Sequence, residues 1–284
     1  MSLFGKVTDY LRMIKFSHSV FALPFAFTSA LIAGQGHLTF HQVLWISIAM
    51  VSARTGAMGF NRIADRTLDA LNPRTKGREI PEGKVTVLNA LFLSFFSFGF
   101  FIYSAYMLNP LCLKLSPIAI AVVIFYSYTK RFTWLSHIVL GLSISSAPIG
   151  AWIAVRGEFS LVALPLGLAV LFWISGFDVL YAIQDIDFDR KHGLYSIPKR
   201  FGIKTSLTCA RVFHLFSWDF LFLTGIIFSL KVFYWLGVFI AGGLFIYEHS
   251  LIKANDLSKL NVAFFNMNGY ISLTVFVFTL LSYL

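Results

Sequence analysis

The sequence predicts an all-α polytopic membrane protein of nine transmembrane helices around a central cavity, and three observations predict it. Hydrophobic residues make up 57% of the 284 residues and charged residues only 13%, where ordinary soluble domains have about 45–50% and about 25%. Apolar runs of about 20 residues, enough to cross roughly 30 Å of hydrocarbon, recur along the chain. The 23 Lys and Arg fall mostly in the stretches between those runs. Thirty-two Phe and a mean hydropathy of +0.76 agree. These numbers argue against a water-soluble enzyme, a disordered chain and a nucleic-acid-binding domain, so the net charge of +10 speaks of membrane topology rather than of a nucleic-acid partner.

The spans fall at about 17–35, 41–60, 86–107, 110–128, 136–155, 161–182, 206–229, 231–248 and 262–284. Each must be helical, because lipid offers no other partner to backbone N–H and C=O groups. Lys6, Arg12 and Lys15 precede the first span, whose apolar run from Phe21 reads as a retained helix and not a cleaved leader. Very short turns near Asn109–Pro110 and Leu230–Lys231 join the third to the fourth span and the seventh to the eighth. Two long loops, 61–85 and 183–205, follow even-numbered spans and lie four spans apart. That spacing suggests a parallel four-helix repeat plus a ninth helix, all in one domain over 1–284.

With the amino end inside, 20 of the 23 Lys and Arg fall on the cytoplasmic side. The positive-inside rule then puts the N-terminus in the cytoplasm and the C-terminus across the membrane. The expected location is the inner (cell) membrane, with the site at its cytoplasmic side. Cys112 and Cys209 are far apart in apolar stretches, which excludes a disulfide framework and a CxxC metal site.

The two long loops carry most of the acids. Asn61, Asp65 and Asp69 are spaced i, i+4, i+8; Asp178, Tyr181, Asp185 and Asp189 are spaced i, i+3, i+7, i+11. On a continuous helix each set falls within about 80° on one face, with Asp187 on the far side. Stacked like charges call for a compensating cation. The plainer alternative is surface pairing with Arg62, Arg66, Arg190 and Lys191. Two such motifs at equivalent places favour Mg²⁺ instead, which takes one or two carboxylates plus substrate phosphates and several waters. The bases nearby, Arg74, Arg78, Lys130, Arg131, Lys191, Lys199 and Arg200, suit a diphosphate, although topology alone also puts bases there.

The paired motifs, from Asn61 to Asp69 and from Asp178 to Asp189, resemble those of UbiA-type intramembrane aromatic prenyltransferases, and so does the stretch Lys130-Arg131-Phe132-Thr133-Trp134. The resemblance covers nearly the whole chain and is strongest to the bacterial 4-hydroxybenzoate polyprenyltransferase branch, with relatives acting on dihydroxynaphthoate. It implies Asp65, Asp69, Asp178, Tyr181, Asp185 and Asp189 as catalytic residues. Asn61, Asp65, Asp69, Asp185 and Asp189 would hold Mg²⁺, and Arg66, Arg78, Lys130, Arg131 and Lys191 would hold the diphosphate. It implies a polyprenyl diphosphate, an aromatic acid acceptor and the lipid bilayer as partners, in ubiquinone or menaquinone synthesis; no protein partner is expected. One departure is Arg62, where many members have a second acid. Another ring acceptor of porphyrin or tocopherol type, or a cation-coupled transporter, are the competing functions. His18, His137, His214 and His249 read as unpaired structural residues, Asp219 as a structural hydrogen-bonding acid, and Asn266 and Asn268 as contacts between helices.

Overall fold

The computed structural model describes residues 3–15, 19–260 and 266–284. His18 and the first residues of the first and ninth predicted spans lie outside them. Twelve α-helices are named here in chain order: α1 (Leu3–Met13), α2 (Ser19–Ala33), α3 (Phe40–Ala64), α4 (Arg66–Leu71), α5 (Val87–Leu108), α6 (Pro110–Thr129), α7 (Ser136–Arg156), α8 (Leu164–Ala182), α9 (Ile186–Lys191), α10 (Ile197–Ile227), α11 (Val232–Ser250) and α12 (Asn268–Leu281). No β-strand occurs among the described residues, only one isolated bridge between Lys253 and Asp256. Seven stretches are long and apolar enough to cross a membrane, and two shorter apolar helices, Ala22–Ala33 and Asn268–Leu281, match the first and last predicted spans.

Local chemistry explains where the helices begin and end. Thr39 and Gln42 form a reciprocal cap on α3, Gln42 N–H to Thr39 Oγ1 at 3.2 Å and Thr39 N–H to Gln42 Oε1 at 3.0 Å. Asn109 ends α5 and caps α6 through Cys112 N–H at 2.9 Å, with Pro110 in the first helical position. Ser196 caps α10. That helix breaks at Gly202 (φ 79°, ψ 172°), so its membrane part begins beyond the break.

The most buried helix is α8, which packs on α7 and α10. Its Trp173, Val170 and Ile174 sit in a core with Phe25, Trp152, Tyr234 and Ile271. Trp173 Nε1 donates to Asn268 Oδ1 at 2.6 Å, which ties α8 to α12; such intramembrane bonds average about 0.6 kcal/mol. His214 and His249 are not isolated, since Nδ1 of the first lies 3.0 Å from Nε2 of the second, beside buried Glu248. Asp219 is exposed and makes no hydrogen bond or ion pair among the described residues, so no structural bond is seen there.

Helices α7 and α8 approach so closely at Gly141 that a Cβ there would meet the Leu171 carbonyl oxygen and Ser175 Oγ. Gly150, also on α7, has nothing within 4 Å of such a Cβ. Gly141→Ala should therefore cost about 1–3 kcal/mol through overpacking, seen as a lower melting temperature in detergent, while Gly150→Ala stays near wild type. Equal melting temperatures for the two variants would contradict this packing.

Candidate active site

The two aspartate motifs do not lie on uninterrupted helices. Helix α3 stops at Ala64 and Asp65 leaves helical geometry (φ −95°, ψ 4°) before the six-residue α4 begins. Helix α8 stops at Ala182, a 3₁₀ turn spans Ile183–Asp185, and Asp185 has nearly the same backbone (φ −102°, ψ 6°) before the six-residue α9. The expected straight stripes are thus corrected to two matching breaks. Each occurs where the apolar run ends, and at the first, Arg131 donates to the Ala64 carbonyl.

Helical phase still holds around the first break. The Asp65 N–H bonds Asn61 O at 2.9 Å, and Asn61 Nδ2 donates to Asp65 Oδ2 at 3.2 Å. Asp69 is buried, and Arg78 Nη1 donates to both its oxygens at 2.7 Å. The loop after α4 then crosses to the second motif. Arg74 grips Asp185 with a fork, Nε to Oδ1 at 3.0 Å and Nη2 to Oδ2 at 2.6 Å, and Asn72 Nδ2 adds a third bond to Oδ1 at 3.0 Å. Arg74 Nη1 also donates to the Tyr181 hydroxyl at 2.9 Å. The Asn72 Oδ1 accepts Arg74 N–H at 2.9 Å and so holds the arginine's backbone in place.

Together these groups border a cavity of about 150 Å³. Asn61, Asp65, Asp69, Asp178, Tyr181 and Asp185 line it, with Arg74, Arg78 and Lys130. Lys130 follows the last turn of α6, its carbonyl fixed by Tyr195 N–H at 2.8 Å. Leu68, Tyr126, Phe188 and Leu194 supply apolar wall. Asp189 lies behind the cavity lining, 1% exposed; Ser196 Oγ donates to its Oδ2 at 2.7 Å, and its Oδ1 has no partner among the described residues. Arg131 stands at the rim, donating to Ala64 O and lying 3.4 Å from Asp65 Oδ1.

Three basic or acidic residues lie away from the cavity. Arg66 is exposed and donates back to Ile63 O at 2.9 Å, and Lys191 is exposed at the end of α9. Neither lines the cavity, because each falls on the solvent side of its short helix. Asp187 is fully exposed, 3.7 Å from Arg190.

Besides Asn72, Tyr126 and Ser196, the structure adds two titratable residues that the sequence did not single out for the site. His137, at the start of α7, is buried and lines the cavity. Its Nε2 receives the Ile197 N–H at 3.3 Å, which places the ring proton on Nδ1, donated to Asp178 Oδ2 at 2.7 Å. The second is Lys15. Arg62 Nε donates to Met13 O at 3.1 Å and Arg54 Nη2 to Lys15 O at 3.2 Å, so two arginines of α3 pin the end of α1. Lys15 Nζ consequently lies 5.9 Å from the Tyr181 ring centroid. Arg62, the departure from the family pattern, points at α1.

Electrostatics separate the groups. Burial pushes the Asp65 carboxyl up, opposed chiefly by Lys130. Burial first, and then Arg62, Arg78 and Arg74, push Lys15 down to about 7. Apart from His137, whose two ring nitrogens are taken by Asp178 and the Ile197 N–H, the ligand groups facing the cavity are oxygens, and no cluster of three His, Cys, Asp or Glu is preassembled as a metal shell among the described residues. That donor set fits a hard cation such as Mg²⁺, which needs only one or two carboxylates when phosphate and water complete its shell. Among the described residues, Asp65, held only by Asn61 at 3.2 Å and Arg131 at 3.4 Å, is the lightly held carboxylate at the lining, and Asp189 Oδ1 is a buried oxygen without a partner behind it.

The UbiA prenyltransferase family pattern matches residues 22–270. The chain belongs to the UbiA prenyltransferase family. Among its relatives are the 4-hydroxybenzoate octaprenyltransferases of Vibrio campbellii, 31% identical over 89% of this chain and 88% of that protein, and of Shewanella pealeana, 31% identical over 100% and 99%. The apo structure of a UbiA homolog from Aeropyrum pernix superposes with a TM-score of 0.86 at 30% identity, covering 94% of this chain and 98% of that one. A UbiA homolog from Archaeoglobus fulgidus bound to GPP and Mg²⁺ shares the fold at a TM-score of 0.70 and 17% identity, covering 96% of this chain and 99% of that one. The all-helical UbiA architecture anticipated from the two motifs is the one observed.

Arg74, Arg78 and Lys130 line the cavity and Lys15 stands over Tyr181 beside it; such a set of cations suits an anion, and its charge depends on pH. Lys15 is protonated below about 7 and loses its charge above it, so inorganic diphosphate should bind progressively more weakly as pH rises through that value. Lys15→Arg keeps its charge and should flatten the decline. Calorimetric titration of both proteins isolates Lys15 from the ligand's own ionisation; superimposable pH profiles would remove it from the site.

Proposed function

We propose that this UbiA-family chain transfers a polyprenyl group from an allylic polyprenyl diphosphate to an aromatic acid, 4-hydroxybenzoate, in respiratory quinone synthesis. Dihydroxynaphthoate is the next acceptor by family resemblance. The observation that carries this reading is the grip of Arg74 and Asn72 on Asp185, which joins both aspartate motifs at one cavity. The names of the relatives that match most of the chain, 4-hydroxybenzoate octaprenyltransferases, support the acceptor. The excess of Lys and Arg on one side supports a cytoplasmic amino end, nine spans in the cell membrane and a site facing the cytoplasm.

In this mechanism the residues work on charge. Asn61, Asp65, Asp69, Asp185 and Asp189 would hold Mg²⁺, which supplies Lewis-acid stabilisation of the departing diphosphate. Arg74 and Arg78 exchange their carboxylates for phosphate oxygens when the substrate enters, which frees Asp185 and Asp69 at the same moment. Lys130 and Lys15 add charge-assisted contacts. Each such contact strengthens as the allylic C–O bond breaks and negative charge collects on the leaving group. The Tyr126 and Tyr181 rings offer π-faces to the allylic cation. The acceptor's ring carbon ortho to the phenol oxygen bonds to that cation and loses its proton, which restores aromaticity. Asp178, whose Oδ2 accepts from His137, would receive the proton. Apolar side chains limit water that would quench the cation. The prenyl tail keeps the reaction in the bilayer, since each buried CH₂ contributes about 0.8 kcal/mol.

Two measurements test the proposal. Membranes holding the protein, given prenyl diphosphate and either acceptor, should release diphosphate and form the prenylated acid, with 4-hydroxybenzoate preferred; product from neither acceptor overturns the reading. Asp65→Ala or Asp185→Ala should abolish turnover with membrane insertion intact, and excess EDTA should silence the wild type. Asp187→Ala should be mild, because that side chain faces away from the cavity; equal inactivity would contradict the geometry.

Lys130→Gln separates holding from chemistry. Losing one charge-assisted phosphate contact costs about 1.5–3 kcal/mol, or roughly 10–150-fold in activity. The loss should appear in kcat as well as KM. Unchanged kinetics would leave Lys130 as a topology signal alone.

A further inference from the structure

A second cavity, of about 680 Å³, lies at the aspartate end of the bundle between the start of α10 and the end of α11. Beyond the break at Gly202, Lys204, Thr208 and Arg211 are spaced i, i+4, i+7 and share one face of α10. His249 and Ser250 of α11 face them, and Lys253 comes from the turn that follows. This cavity has no lining residue in common with the candidate active site. Its buried Leu207 and Ile252 belong to an apolar cluster with Ile183 and Ile186, beside Asp185.

Two independent observations point to a ligand. First, three cations, two from α10 and one from the turn after α11, border one concavity, and none of them is ion-paired among the described residues. The nearest acid in sequence, Asp256, is occupied by Ser258, whose hydroxyl donates to it at 2.7 Å. The positive-inside rule accounts for cations at this end of the bundle, but not for their convergence on a cavity. Second, the same helix faces turn apolar one turn deeper. Val212 and Leu215 stand above Thr208 and Arg211 on α10, and Ile246 above Ser250 on α11, with exposures of 42%, 55% and 75%. A cationic pocket continued by an exposed apolar surface matches an anionic amphiphile, head in the pocket and tails along the helices.

We infer that this cavity binds the phosphate headgroup of an anionic bilayer lipid, whose acyl chains lie along Val212, Leu215 and Ile246. Phosphate is the chemistry recognised, and soluble phosphate is its other source. Lys204 and Arg211 contact the headgroup from α10 and Lys253 from beyond α11, so the bound lipid bridges the ends of the two helices. Attraction of this kind depends on salt, since the cations are exposed.

The test is native mass spectrometry of the full chain in detergent, exchanged against phosphatidylglycerol or phosphatidylcholine. The wild type should retain phosphatidylglycerol over phosphatidylcholine. Lys204→Gln and Arg211→Gln should each reduce that retention about fivefold, and Arg211→Lys should stay near wild type and show that the fold tolerates change there. Lys259→Gln, an exposed lysine outside the cavity, should have no effect. No preference between the lipids, or an equal loss in Lys259→Gln, overturns the proposal in favour of a diffuse positive surface. Millimolar inorganic diphosphate distinguishes the two sources of phosphate. A lipid that stays bound supports the headgroup assignment; complete displacement assigns the cavity to soluble phosphate and overturns it.

Discussion

Crowding carboxylates at the end of a helical bundle is unfavourable unless cations meet them, and the Arg74–Asp185 fork is where this chain resolves that constraint. Asp69, Asp185 and Asp189 are buried there, and an unpaired buried carboxylate costs far more than a surface one. The fork, the Asn72 bond and the Arg78–Asp69 pair all come from one loop, the segment after α4. That loop therefore orders itself by neutralising charge, and closes one side of the cavity as it does so. Hydrogen bonds to charged groups contribute about 1.5–3 kcal/mol each, with a discount at Arg74, whose side chain is 28% exposed.

The same contacts bear on the proposed binding of a diphosphate. Arg74 and Arg78 are bidentate or doubly bonded to carboxylates that share their geometry with phosphate. In the proposed reaction an entering diphosphate would compete for both arginines at once, and a divalent cation would take over the carboxylates they release. Exchange of equivalent partners needs little reorganisation of the bundle, because the aspartates are held by helix ends and only the long arginine side chains have to turn.

The two halves of the chain solve one problem in one way. Asp65 and Asp185 share a non-helical backbone geometry, each follows a long apolar helix and each precedes a six-residue helix. This likeness is the structural content of the repeat suggested by the loop spacing. It does not extend to the arginines. Arg74 and Arg78 belong to the first half alone, so the pseudo-equivalent motifs carry unequal partners: Asp69 meets Arg78, whereas Asp189 meets the Ser196 hydroxyl.

Apolar run length and the placement of charge determined that this is a helical membrane protein, because a bilayer forces each span into a helix of fixed minimum length. The acid spacing determined which turns carry Asn61, Asp65, Asp69, Asp178 and Asp185, since one turn of helix fixes neighbours four apart. Tertiary structure decided the rest. Arg66 and Arg78 read alike in the sequence, yet one returns to its own backbone and the other reaches Asp69, because the path of the loop is set by contacts far along the chain. His137 lies 41 residues from Asp178, and Lys15 reaches Tyr181 only because Arg54 and Arg62 hold the end of α1. Helical periodicity reports contacts within a turn; charge pairing between segments depends on packing geometry that no local spacing records.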